Sequence, residues 1–268
     1  MAMHLWGIAA ATEGQDSGTK HSEASGYAAG LLTWMLAASV LIAVKLVEDE
    51  MPPWTMAFFR VLITALLLLP FVLPQRAEMA AFFRARGPEA LFIGGLGLGL
   101  TQVVLYSAVH LTAAVNVSIV FALAPMVTLI LARLTLGEAM NWWQALGSAV
   151  AFAGILVVSV QGSPERLSGL QFGIGEVVTF ISALLFAGYT VLLKRAKFDL
   201  PAIPLLIILL CGGALAALPF FVWEYIRDAH ANLARDGYLS LLYCAAIGGG
   251  LMYLCYNRSI EILGAARA

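Results

Sequence analysis

The 268-residue chain is 61% hydrophobic and 12% charged, with a formal net charge of −1 and a mean hydropathy of +0.89. Soluble domains run at roughly 45–50% apolar and 25% charged, and 15 basic and 16 acidic residues are too few to coat a soluble core of this size, so lipid is the expected solvent. No basic stripe interleaved with aromatics is present, which excludes a nucleic-acid partner.

The first 26 residues are polar and rich in Gly and Ser, and are read as a flexible cytoplasmic tail. They lack a basic segment followed by a long apolar one, so no cleaved signal peptide is expected. A helix needs about 20 apolar residues to cross about 30 Å of hydrocarbon. On that rule spans are predicted over 28–47, 54–73, 89–110, 112–134, 142–160, 170–193, 202–223 and 238–258. Pro52-Pro53, Pro74, Gly87-Pro88, Gly162-Ser163-Pro164 and Pro201 punctuate the linkers. Spans three and four are separated by only a residue or two and form a tight hairpin. No stretch alternates with period two, which disfavours a barrel.

Lys and Arg placement orients the chain. With a cytoplasmic N-terminus, the inner segments hold Lys20, Arg76, Arg84, Arg86, Arg133, Lys194, Arg195, Lys197, Arg258 and Arg267. The outer loops hold only Arg166, Arg227 and Arg235, and the first of them is acidic at Glu48-Asp49-Glu50. The predicted location is the cell inner membrane, multi-pass, N-terminus inside. Cys211, Cys244 and Cys255 are odd in number and scattered through apolar runs, so free buried thiols are expected, with neither disulfide nor metal spacing.

The chain also repeats. Ile42–Pro53 resembles Thr190–Pro201 at an offset of about 149, which brings Lys45 to within a residue of Lys194, and Leu105–Ala114 resembles Cys255–Ala266 at about the same offset. Five spans, an odd number, precede the second copy, so that copy enters the membrane from the opposite side. Inverted repeats of this kind are common in secondary transporters. The predicted division is a tail over 1–26, a first five-helix repeat over 27–161 and a second, inverted and incomplete repeat over 162–268. Ala268 corresponds to about Ser118, the start of the fourth span, so two further helices are expected beyond it.

The residues just cited, with others, carry a family resemblance. Lys45, Pro53, Arg60, the run Asn116–Glu138, Leu184–Arg195 and Leu254–Ala268 together resemble EamA-type members of the drug/metabolite transporter superfamily. Ala37 stands where that family usually has a tryptophan. The resemblance implies an all-α integral membrane protein, a ten-helix transporter fold of inverted five-helix repeats. Eight helices plus the start of a ninth fall within this chain.

Polar residues inside spans nominate a site, because each ionisable group at bilayer centre costs about 2.5–3.5 kcal/mol on insertion scales. Gln102, Tyr106 and His110 recur every fourth residue and share one face of the third span, drifting about 40° per step. Tyr253, Tyr256 and Asn257 occupy the corresponding part of the eighth. Trp34, Phe180, Phe186 and Tyr189 are aromatic candidates for the wall of a shared cavity. Glu176 and Arg60, each about 10 Å below the outer face by helical rise, are candidates for an ion pair or for coupling. Pro125 is expected to kink the fourth span. The glycines at 94, 95, 97 and 99 and at 248–250 read as close helix packing rather than a phosphate loop, since no strand or Gly-Lys-Ser/Thr accompanies them.

These features predict a secondary transporter that exports small metabolites, most of all amino acids including aromatic ones, by alternating access. The alternatives are export of amphipathic cationic drugs and, from another class, a channel. No Ser/His/Asp set, HExxH or paired Asp supports an enzyme, and no cofactor or metal is implied. The expected partners are a small-molecule substrate and the lipid bilayer, with a monomer or homodimer both compatible.

Overall fold

The computed structural model describes residues 4–47, 49–137, 142–159, 173–227 and 235–263, and no strand occurs among them. In chain order the helices are α1 (His4–Leu46), α2 (Pro53–Val72), α3 (Arg76–Gly94), α4 (Thr101–Leu111), α5 (Ala114–Phe121), α6 (Ala124–Leu136), α7 (Trp142–Ser159), α8 (Ile174–Ala196), α9 (Ala202–Ile226), α10 (Arg235–Tyr243) and α11 (Met252–Leu263). A π-helical stretch, Gly95–Leu100, joins α3 to α4, and a second, Cys244–Leu251, joins α10 to α11.

Among the described residues, six continuous stretches are long and apolar enough to cross a bilayer. One of them, Pro53–Leu111, has 59 residues; as a straight rod it would reach about 88 Å. It folds back instead at the short 3₁₀ turn Leu73–Gln75, which brings Arg60 near its start onto Tyr106 near its end. It therefore crosses twice. α7, with 18 residues or about 27 Å of helix, supplies an eighth crossing. Helices in lipid must satisfy their own backbone groups, and an all-helical chain does so.

The crossings alternate, so two faces can be told apart. Pro53, the end of α1, the α4–α5 hairpin, the start of α8 and the end of α9 lie at one; Pro201, the end of α8 and the start of α9 lie at the other. α2 and α9 pack against each other at the centre, α1 lies along α11, and α8 lies along α4. The outer surface carries Leu66, Leu67, Phe71, Leu215 and Val222, exposed apolar side chains that fit a lipid contact.

Two expectations need correction. The tail read as flexible is helical from His4, continuous with the first span; no proline interrupts it. The linker around Gly87-Pro88 is also helix, since α3 begins at Arg76 and runs through both residues. RAEMAAFFRAR is rich in strong helix formers, and one proline removes a single backbone donor. The fourth span is interrupted just ahead of Pro125, on the side where a proline disrupts a helix: α5 ends at Phe121, four residues before it, and α6 restarts at Ala124. Pro125 sits in the first turn of α6, where a missing N–H costs nothing.

Glycines set the closest approaches. A Cβ at Gly94 would lie 2.0 Å from the Leu209 carbonyl oxygen, and one at Gly212 would lie 2.1 Å from that of Leu91. α3 and α9 thus touch backbone to backbone. Gly97 faces the Tyr189 ring and Gly249 faces Thr64 with no room for a methyl on either. The small-residue packing expected of both glycine runs is what they do.

Candidate substrate pocket

α2 delivers a cation to the middle of the protein. Arg60 is 1% exposed. Its Nη1 donates to the Tyr106 hydroxyl at 2.7 Å, and its guanidinium carbon lies 5.8 Å from the Tyr106 ring centre and 5.7 Å from that of Tyr253. Arg60, Gln102, Tyr106, Tyr253, Tyr256 and Trp34 all line one pocket of about 70 Å³, with Phe121, Phe186 and Met252 on its apolar side. Seven residues nominated from sequence, Phe186 among them, therefore converge, drawn from α1, α2, α4, α8 and α11.

The polar groups of this wall are held in place. Gln102 Nε2 donates to the Tyr253 hydroxyl at 3.0 Å, joining α4 to α11. Tyr256 and Thr190 share a 2.6 Å hydroxyl contact that joins α11 to α8. Trp34 meets Phe186 edge to face at 6.1 Å, and Phe186 lies 5.3 Å from Tyr256. Such ring pairs add about 0.5–1.5 kcal/mol each beyond the area they bury.

Other nominated residues fall outside the cavity. His110 is exposed, with Nδ1 3.0 Å from the Tyr106 carbonyl oxygen. Two steps of about 40° carry it off the face that Gln102 occupies. Phe180 is exposed too, and faces away from the cavity. Tyr189 is buried beside Tyr256 and donates to Asn257 Oδ1 at 3.1 Å. Asn257 lines a separate, wider cleft of about 870 Å³ with Lys194, Lys197 and Asp199, at the Pro201 face.

Glu176 and Arg60 do not form an ion pair. α8 begins at Ile174 rather than Leu170, which leaves Glu176 only about 3 Å along the helix while Arg60 stays about 10 Å along α2. Glu176 accepts instead from Gly173 N at 2.6 Å, from Asn116 Nδ2 at 2.7 Å and from the Thr112 hydroxyl. It caps its own helix and fastens α8 to the α4–α5 hairpin. Glu176→Ala should therefore lower the unfolding free energy by about 2–3 kcal/mol, the cost of stranding such donors. Thermal melting in detergent would measure this, and an unchanged midpoint would refute the fastening role.

Sequence reasoning missed Glu224. α9 continues to Ile226, past the boundary expected at 223, and Glu224 is buried there at 9% exposure. Its carboxylate accepts from Trp54 N at 3.1 Å, Thr55 N at 2.5 Å and Thr55 Oγ1 at 2.8 Å. The signal that could have found it was the unsatisfied N-terminus of α2, where Pro52 offers no side-chain cap. The three cysteines are free, as expected, but only Cys244 is buried; Cys255 is half-buried and Cys211 exposed.

The chain is similar to known proteins in sequence and in fold. An uncharacterized transporter, YyaM, of Bacillus subtilis (strain 168) is 24% identical over 215 residues, 80% of this chain and 70% of its own length. An uncharacterized transporter of Archaeoglobus fulgidus is 30% identical over 173 residues, 63% of this chain and 57% of that protein. A probable terminal-alkyne amino-acid exporter of Streptantibioticus cattleyicolor is 40% identical over 85 residues, 31% of this chain and 28% of that protein. A solved crystal structure superposes with a TM-score of 0.67 over 92% of this chain and 84% of the other; at 17% identity that shows a shared fold. A family match, to the EamA-like transporter family, spans residues 24–160 and 173–268. The chain is a multi-pass membrane transporter and belongs to the EamA-like transporter family.

Proposed function

We propose that this transporter exports small amphipathic metabolites, foremost amino acids with apolar or aromatic side chains, through the central pocket by alternating access. One observation carries the reading: Arg60, Gln102, Tyr106, Tyr253 and Tyr256 converge on a single pocket with an aromatic side. Hydrogen-bonding groups at one side and rings at the other suit a solute with a polar head and an apolar body. The 85-residue similarity to a probable amino-acid exporter supports the same substrate class. Among the described residues, the cavity wall bears a guanidinium and no carboxylate, which speaks against cationic drugs as cargo.

The duplication reading accounts for the packing. α1 on α11 and α8 on α4 are the two contacts that an exchange of halves would interconvert, while α2 and α9 meet across the exchange. The excess of Lys and Arg in segments on the Pro201 side supports an orientation with that face and the N-terminus in the cytoplasm, in the inner membrane. Motion of one bundle against the other, about the α2–α9 contact, would open the pocket to each side in turn.

The test is counterflow. Liposomes loaded with unlabelled L-phenylalanine should accumulate the labelled amino acid transiently and saturably. Flux that rises linearly with concentration, without counterflow, would make the protein a channel. Saturable transport of other solutes with none of any amino acid would remove the substrate class and leave the carrier.

A further inference from the structure

We propose that Arg60 is the anchor for a carboxylate on the transported solute, an inference that rests on the central pocket being the substrate site. A guanidinium has five N–H donors in a fixed plane. Nη1 of Arg60 donates to the Tyr106 hydroxyl; Nε and Nη2 are buried and have no well-aligned acceptor among the described residues, though the Tyr253 hydroxyl lies beside the guanidinium. Those two nitrogens form the side-on fork of the guanidinium, two parallel donors matched to the two oxygens of a carboxylate.

Among the described residues lining the pocket, nothing else neutralises this charge. The two buried carboxylates among the described residues are engaged at the Pro53 face, Glu176 by Gly173, Thr112 and Asn116, and Glu224 by Trp54 and Thr55. The neighbouring polar groups are committed as well: Gln102 to Tyr253, Tyr256 to Thr190, and Thr33 to its own backbone at Ala29. The titratable groups closest to the guanidinium are Tyr106, Tyr253 and Cys244, all neutral in their ordinary protonation state. A buried, unpaired cation is costly to keep, and an anion entering the cavity removes that cost.

The space sets the fit. The space of about 70 Å³ beside Arg60 has room for a carboxylate group. The anionic head therefore seats against Arg60, and the body of the solute takes room that Trp34 and Phe186 now fill. Among the described residues, no group facing the cavity is an anion that could select an ammonium, so monocarboxylates without an amino group qualify as ligands as well as amino acids do.

Acetate and acetamide are near-isosteric probes small enough for the cavity and differ in charge. Trp34 is a reporter in its wall; its fluorescence is isolated as the difference between wild type and Trp34→Phe, with the full chain in lipid nanodiscs at constant sodium chloride. Acetate should shift the Trp34 signal saturably, acetamide should not, and Arg60→Gln should bind acetate at least tenfold more weakly. Arg60→Lys, which keeps the charge but not the fork, should fall between them. An equal response to acetate and acetamide, or wild-type acetate binding by a folded Arg60→Gln, would overturn the proposal. Should Arg60→Gln fail to fold, the wild-type comparison and Arg60→Lys still decide. Acetate binding without amino-acid counterflow would sink the amino-acid reading and keep the anchor. Counterflow of phenylalaninamide as fast as that of phenylalanine would sink the anchor and keep the carrier.

Discussion

Valine at Gly212 is expected to abolish recovery of folded protein from the membrane. α9 and α3 cross with their backbones in contact, and a Cβ at Gly212 would stand 2.1 Å from the Leu91 carbonyl oxygen. The clash is with backbone, so no side-chain rotation relieves it. Gly94 makes the reciprocal contact against Leu209, so separating the helices to admit one side chain would open both. Overpacking of well-packed interiors costs about 1–3 kcal/mol; a rigid backbone clash at the central helix belongs to the class beyond about 4 kcal/mol. Gly147 and Gly154, where an added methyl would meet nothing within 4 Å, are the controls. Alanine at either should be neutral or stabilising by up to about 1 kcal/mol through helix propensity. Detergent-extracted yield and the size-exclusion profile separate the cases. A monodisperse Gly212→Val with the wild-type melting point would show that the crossing tolerates what its geometry forbids.

The second large effect is expected at Glu224. α2 opens with Pro52-Pro53 and has no side-chain cap of its own. The carboxylate that receives its first N–H groups comes from α9, 170 residues later for Trp54. Glu224→Ala strands Trp54 N, Thr55 N and the Thr55 hydroxyl beside apolar packing, and should cost about 3 kcal/mol or more. Glu224→Gln keeps an acceptor oxygen and loses the charge, so it should cost about half as much. The melting midpoint of the purified protein gives both numbers. Equal stability of Glu224→Ala and wild type would mean that water replaces the cap without penalty.

The fold was legible from the chain because lipid imposes a plain rule. Apolar length alone marked the crossings, and even the two-residue joint between Leu111 and Ala114 could be placed. Most of the pocket was legible too. Gln102 and Tyr106 share a helix face by spacing, and Tyr253 and Tyr256 follow from the echo of that spacing in the second half. What failed was anything that depended on a helix end. Moving the start of α8 from 170 to 174 took Glu176 out of reach of Arg60, and extending α9 by three residues brought Glu224 into play. Apolarity fades gradually at a membrane surface, so hydropathy cannot fix an end to within a turn. Long-range partners such as Thr112 for Glu176 leave no local trace at all. His110 failed for a different reason: a stripe at every fourth residue winds around a straight helix and leaves the cavity after two steps.

The two π-helical stretches have a mechanical consequence. Each lies immediately before the residues that line the pocket, Gly95–Leu100 ahead of Gln102 and Tyr106, and Cys244–Leu251 ahead of Tyr253 and Tyr256. A π turn closes its rings one residue later than an α turn, so it stores one extra residue of winding. Rewinding a single such turn would rotate every side chain beyond it by about 100° and slide it by about 1.5 Å. The Gln102–Tyr253 contact could then be broken and remade by a change in winding within two otherwise intact rods. Amide hydrogen exchange across Leu96–Thr101 and Gly248–Met252, with and without substrate, would register such a change of pitch directly.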